Sequence, residues 1–512
     1  MSLMNFAKIS VLIVVVLMNT NWCLAQMQID WVSRYSGAGS LEDAGLAICV
    51  DDSGNVYVTG GVQTGFGYKC TTIKYNKNGD SLWVRDFRRP GNNYNSGNDI
   101  KLDDSGNVLI AGAESIIKYD KSGNLKWTAY DSADYNKLIL DSLGNIYIAG
   151  IGSGKYVVAK YDRNGNRFWV NRYPGAYRLN DLTLDNMSNV LITGESEHAM
   201  TYYDYTTIKY TNSGNIIWIR KYNGPGPPPL ALDIPYALTT DNAANVYVTG
   251  GSQQTSSSFY CATVKYDSSG NVIWIKRMYP PNVGFDIAVD EVQNVYITGR
   301  SSGNNCTAKL DINGNIMWTK TYPTTDSYAT NISVLILDSV NNVYVSANID
   351  SNRYTRYGAI KYDNNGNQLF VVNYHYTNVE FNYVIDMAID KKGSVYLTGT
   401  SNNAYATVKF SPIPTGIYEN NFIPDKYLLS QNYPNPFNPN TIINYQLSMP
   451  RNIKLKVYDV LGNEVASLVN EKKEPGSYEV EFHAGNLSSG IYFYRLEVEG
   501  NVIDTKRMVL LK

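Results

Sequence analysis

A chain of 512 residues with 44 Lys+Arg against 46 Asp+Glu carries a net charge of only −2. That balance excludes the basic footprint of a nucleic-acid binder or an anionic-membrane binder. Tyrosine stands out at 43 residues and suits pleated, half-buried strands. Five cysteines at irregular spacing do not make a disulfide framework.

The first element in chain order is a secretory signal. Lys8 supplies a basic start, Ile9–Met18 an apolar run, and Cys23-Leu24-Ala25 the small residues before a cut after Ala25. The apolar run is too short to span a bilayer, so the mature chain is expected to have no transmembrane segment. It keeps Cys49, Cys70, Cys261 and Cys306, read as small buried strand residues.

A repeat then fills most of the chain. Its clearest copy is Asp241-Asn-Ala-Ala-Asn-Val-Tyr-Val-Thr-Gly250 followed by Val264-Lys-Tyr-Asp-Ser-Ser-Gly-Asn-Val-Ile-Trp274. The first half recurs from Asp51, Asp103, Asp141, Asp185, Asp290, Asp338 and Asp390, giving eight copies at a propeller-like period. In the copy from Leu46 to Phe87, four short β-rich runs are separated by turn clusters, with no helical periodicity between them. Four antiparallel strands per period describe a propeller blade. Gly at the fourth turn position supplies positive φ, but Ser188, Ala244, Gln293 and Asn341 stand there in copies four to seven and must reach that geometry without it.

The eighth copy stops at Lys409-Phe410 without a fourth strand. Ile29-Asp-Trp-Val-Ser-Arg-Tyr matches the fourth-strand segment Phe168-Trp-Val-Asn-Arg-Tyr, so the N-terminus is expected to supply it and close the ring. The expected architecture is all-β: an eight-bladed β-propeller over residues 26–414, a linker over 415–426, and a small β-sandwich over 427–512.

The repeat Asp-x-x-Gly-Asn-Val-Tyr-Val-Thr-Gly resembles the bacterial SBBP β-propeller repeat, which implies a secreted propeller and no single activity. At the other end, Gln431-Asn-Tyr-Pro-Asn-Pro-Phe-Asn-Pro439, Lys456-Val-Tyr-Asp-Val-Leu-Gly462 and Ser489-Gly-Ile-Tyr-Phe-Tyr494 together resemble the type A C-terminal sorting domain of the type IX secretion system. The resemblance rests on Asn432, Pro434, Asn435, Pro436, Phe437, Gly462 and Gly490. It implies an outer-membrane translocon and a sorting peptidase as partners, and a product that is secreted or held at the cell surface.

Catalytic motifs are scarce. His198, His375 and His483 have no metal-ligand neighbour at i+4, and there is no Cys-x-x-Cys and no Gly-x-Ser-x-Gly. No cofactor is implied beyond a cation such as calcium. The Asp162…Gly165…Trp169 turn departs from the sialidase Asp-box spacing, and each such Trp is read as a wedge between neighbouring blades. Asp99, Asp181, Asp286 and Asp386 lie four residues before their turn aspartates and are expected at one mouth of a central channel, as a cation site or a polar throat. The loops of variable length gather on one face. They carry Tyr94, Tyr135, Tyr177, Tyr236, Tyr328 and Tyr376, candidates for a protein or glycan ligand. A binding module is the favoured reading, without catalysis. A hydrolase or lyase using the channel aspartates is the alternative, and it requires a carboxylate of raised pKa beside a pocket. A structural surface component with no discrete ligand is the third.

Overall fold

The computed structural model describes residues 27–37, 42–65, 67–197, 203–226, 232–255, 258–324, 333–351, 354–374, 382–413, 427–429, 431–432, 435–447, 449–473 and 476–511. Every helix or strand among them is a strand, and no helix is long and apolar enough to cross a membrane. The chain divides into two compact units after Ile413. Ala25 lies outside the described residues.

In the first unit each copy folds as an antiparallel sheet in chain order, as in Ala44–Val50, Val56–Thr64, Gly67–Tyr75 and Ser81–Phe87. Copies two and three share one six-stranded sheet. No loop separates them, because Leu125–Leu140 is a single strand whose first half pairs with Val108–Tyr119 and whose second half pairs with Ile146–Gly152. Met27–Tyr35 lies antiparallel to Ala404–Pro412 and forms the outer strand of the last copy's sheet.

The turn aspartate explains why the repeat is spelled as it is. Asp51 Oδ1 accepts the N–H groups of Ser53 and Asn55 at 2.9 and 2.8 Å, and Oδ2 accepts the Asn55 amide at 2.8 Å. The fourth turn position is left-handed, with φ of 79° at Gly54 and 57°, 59°, 67° and 61° at Ser188, Ala244, Gln293 and Asn341. Those four turns reach the geometry without glycine, held by the same aspartate bonds.

Each Trp seals one copy against the next. The indoles of Trp31, Trp83, Trp127, Trp169, Trp218, Trp274 and Trp318 donate to Lys77, Lys121, Arg163, Asn212, Ser268, Ile312 and Asn364 carbonyls at 3.0–3.3 Å. The ring lies flat on the turn glycine beyond, where a Cβ on Gly165 would stand 2.8 Å from Trp127. A buried lysine reinforces the same seam: Lys74, Lys118 and Lys209 donate to Lys121, Arg163 and Ser268 carbonyls.

In copy seven Lys361 reaches both Asp338 at 3.3 Å and the Tyr344 hydroxyl at 2.6 Å; elsewhere the partner of that lysine follows the second-strand residue. Where this is tyrosine, its hydroxyl donates to the turn aspartate and its ring lies under the ammonium, as in Tyr247 with Asp241 (2.9 Å) and Lys265 (4.9 Å). Leu109 and Leu191 have no hydroxyl, and there Lys118 and Lys209 reach Asp103 and Asp185 directly at 2.9 Å. Among the described residues the four cysteines are free thiols; burial pushes Cys70, Cys261 and Cys306 up to about 11.

The second unit holds a three-stranded and a four-stranded antiparallel sheet. One core draws on both, with Ile443, Tyr445 and Phe482 from the first meeting Leu455, Tyr494, Leu496 and Met508 from the second. Its hairpin Asp459–Asn463 repeats the aspartate turn of the first unit, with Gly462 at φ 86°.

Candidate functional site: the central cavity and the loop face

The first strands of the copies line a cavity of about 450 Å³. The position four residues before each turn aspartate faces it, and reads Ala47, Asp99, Lys137, Asp181, Ala237, Asp286, Val334 and Asp386 in chain order. Carboxylates therefore occupy every second copy.

Each carboxylate spans two copies. One oxygen accepts the N–H of the next residue in its own strand: Ile100, Leu182, Ile287 and Met387 at 2.8–2.9 Å. The other accepts an N–H from the neighbouring copy's first strand: Leu138, Leu238, Leu335 and Ile48 at 2.7–2.9 Å. The last of these joins copy eight to copy one. The four aspartates are thus brought to one cavity, yet they do not converge on a point. Among the described residues no group of three or more His, Cys, Asp or Glu is placed to hold a metal ion.

Their electrostatics differ by sector. Lys101 pairs with Asp99 at 2.8 Å, and Lys137 stands 3.6 Å from Asp181. Burial and then the Asp181 charge push Asp286 up to about 7, against its backbone N–H bonds and Lys137. Burial, with a smaller push from Asp99, raises Asp386 to about 6. The two lysines escaped the sequence reading. Lys137 was findable, since it stands at the same offset from Asp141 as Asp99 does from Asp103.

The connections between copies lie beside the hairpins of second and third strands, as the bridges Tyr68–Tyr94 and Tyr203–Leu232 show. Tyr94 projects there, 70% exposed, whereas Tyr177, expected on a loop, is the second residue of the strand Ala176–Leu184, 52% exposed with its ring 4.2 Å from that of Tyr203. Tyr236 instead lines the central cavity, edge-on to Phe285 at 5.1 Å. Tyr135 corrects the loop assignment. It belongs to the continuous strand Leu125–Leu140, is fully buried, and donates to Asp131 at 3.0 Å, so it offers no surface to a ligand. Tyr328 and Tyr376 lie outside the described residues.

In the second unit the motif residues tie its first segment to its last strand, Asn501–Leu510. The Asn432 N–H donates to the Tyr494 hydroxyl and its side chain to Thr441. Asn435 accepts the Val509 N–H, and buried Phe437 exchanges backbone bonds with Val509 and Leu511. Gly490 opens the strand Gly490–Val498. Pro434 lies outside the described residues, and Pro436 is flanked by Asn435 and Phe437 in the segment just described.

These sheets and their closure define an all-β, propeller-like protein with an appended domain. Residues 431–510 match the family described as secretion system C-terminal sorting domain, and residues 283–305 match the family described as beta-propeller repeat. The sorting domain marks the chain for the type IX secretion machinery, and so for export to the surface or beyond. A search of curated proteins returned no match. Among solved structures, Sqt1 from Chaetomium thermophilum is similar at a TM-score of 0.54 and 9% identity, covering 75% of this chain and 98% of that one. BamB from Moraxella catarrhalis gives 0.44 at 11% identity (75% and 100% covered), and virginiamycin B lyase from Staphylococcus aureus gives 0.41 at 12% (76% and 100% covered).

Proposed function

We propose that the chain is an exported eight-bladed β-propeller that binds a protein or glycan through its loop face. On this reading residues 1–25 are a signal peptide cut after Ala25, and the second unit is a β-sandwich handled by the translocon and sorting peptidase. The observation that carries it is the display of exposed aromatics on one side, Tyr94 and Tyr279 at 70% and 54% on connections between copies and Tyr177 at 52% at the start of a first strand. Flat rings with a hydroxyl suit sugars and polypeptides alike. A glycan and surface-polysaccharide array with wild type and Tyr94→Ala/Tyr177→Ala tests it. Binding lost in the variant supports the loop face. Binding by neither form, with no protein captured on that face, favours a structural role.

The second reading, hydrolase or lyase chemistry in the cavity, is supported by Asp286 at about 7 beside a polar space. Against it, both oxygens of Asp286 already accept backbone N–H groups, which suits a clamp better than a moving proton.

A further inference from the structure

We infer that the central cavity holds a small zwitterion with an apolar body, an amino acid or a dipeptide. In seven of the first strands the ladder to the second strand skips one residue, the one just before the cavity position. The skip falls between Pro235 and Ala237 in copy five, for example, and between Gly284 and Asp286 in copy six. Such a bulge turns two consecutive side chains to the same side of the strand. The skipped residue therefore joins its neighbour in the wall, and six of the seven line the cavity.

The paired side chains divide the cavity into unlike halves. Copies two to four contribute Asn98, Asp99, Lys101, Lys137, Asn180 and Asp181. From copy five through copy eight and on to copy one, the wall is Tyr236, Phe285, Ile385 and Leu46, with the small apolar groups of Ala237, Val334 and Ala47 beside them. Only the carboxyls of Asp286 and Asp386 bring charge to that half. Equivalent positions are thus filled by asparagine and charge on one side and largely by apolar groups on the other, so the fold of a copy requires neither.

Each half has bonding capacity to offer. Lys101 gives one N–H to Asp99, but the Lys137 ammonium, 3.6 Å from Asp181, makes no hydrogen bond among the described residues. In the other half no ion pair reaches Asp286 or Asp386 among the described residues, although lysines serve Asp99 and Asp181. Each oxygen of Asp286 and Asp386 accepts one backbone N–H and keeps a second lone pair. Burial holds both carboxyls above the usual range, and a guest cation would restore their charge. An ammonium beside these carboxyls, a carboxylate on Lys137 and Lys101, and a side chain against Phe285 and Tyr236 meet every demand at once. A bare amine would leave Lys137 without an acceptor, and a neutral sugar would bring charge to neither half. The cavity's volume of about 450 Å³ lies within the range of about 300–1,000 Å³ that small-molecule sites take. This inference does not rest on the loop-face reading, since its groups lie on the first strands.

Isothermal titration calorimetry of the full chain with L-phenylalanine, L-leucine and leucyl-phenylalanine tests it. Saturable binding of at least one of them, at one site per chain, is the expected result. The amine and the acid that each lack one of its charges (2-phenylethylamine and 3-phenylpropanoate for phenylalanine) should bind about tenfold more weakly or worse, the loss of one charge-assisted bond. Lys137→Met should weaken the zwitterion by a similar factor and leave the amine unchanged, whereas Phe285→Ala should weaken both. The series of ligands on the wild-type chain decides the matter even where a variant fails to fold. No binding of any of the three, an amine bound as tightly as its zwitterion, or a folded Lys137→Met that binds the zwitterion as wild type does would each overturn the proposal.

Discussion

Asp286 shows what a carboxylate in a narrow polar space does to stability. Its folded pKa of about 7 stands above the unfolded value of about 3.9. The folded chain therefore holds an extra proton between those limits, and the contribution is complete below about pH 4 and lost as pH rises through 7. Moving from pH 8 to pH 5.5 should raise the unfolding free energy from urea melts by an amount on the order of 1–2 kcal/mol. In Asp286→Asn that rise should shrink, and the variant should be less stable at both pH values, because an amide turns a donor toward the Ile287 or Leu335 N–H. An unchanged pH slope in the variant would remove Asp286 from the titration. At this scale much was legible. Ser188, Ala244, Gln293 and Asn341 betrayed their left-handed turns by standing where glycine recurs. The clamping role of Asp99 and its counterparts was not, because the second acceptor bond comes from a strand in the next copy, and a single copy's spelling says nothing of its neighbour.

The seam between copies shows how one substitution follows from connectivity. Seven copies present a wedge to a turn carbonyl, and all of those wedges are Trp. Copy seven instead presents Phe370. The copy it faces has no turn joining its third and fourth strands, because those strands come from opposite ends of the first unit. Without that carbonyl an indole N–H has nothing to bond. Trp218→Phe should therefore cost about 1–2 kcal/mol through the lost indole bond to the Ser268 carbonyl, which keeps only Lys209, and through lost ring volume. Phe370→Trp should bring no gain, and urea melts of the two variants make the comparison. The strands themselves were readable from turn spacing, but Tyr135 was misplaced. The sequence shows variable segments between copies without showing that the one between copies two and three has shrunk to nothing.

For the whole molecule, the outer strand Met27–Tyr35 decides whether the last copy's sheet has its fourth strand and whether Ala404–Pro412 is covered. Removing residues 27–35 would expose the Ala404–Pro412 strand and unseat Trp31 from Gly79, where a Cβ would come within 2.6 Å of the ring. Such a chain should aggregate on refolding at concentrations where the intact chain recovers, and light scattering during dilution from urea would show it. Recovery equal to wild type would mean that the ring is held by its other seams alone. The architecture was the most legible level of all, since a repeat copies its evidence.

The same pairing of first strand on last also sets an order of events. Asp30 and Ser411 bond across 381 positions of sequence, and closing a loop of that length costs on the order of 5 kcal/mol in chain entropy. A chain emerging N-terminus first would hold its opening nine-residue strand unpaired until Pro412 had followed. Ring closure is thus a signal of completeness: only a chain emerged through residue 412 can pair its opening strand with its last, and any chain cut short before then carries that opening strand unpaired.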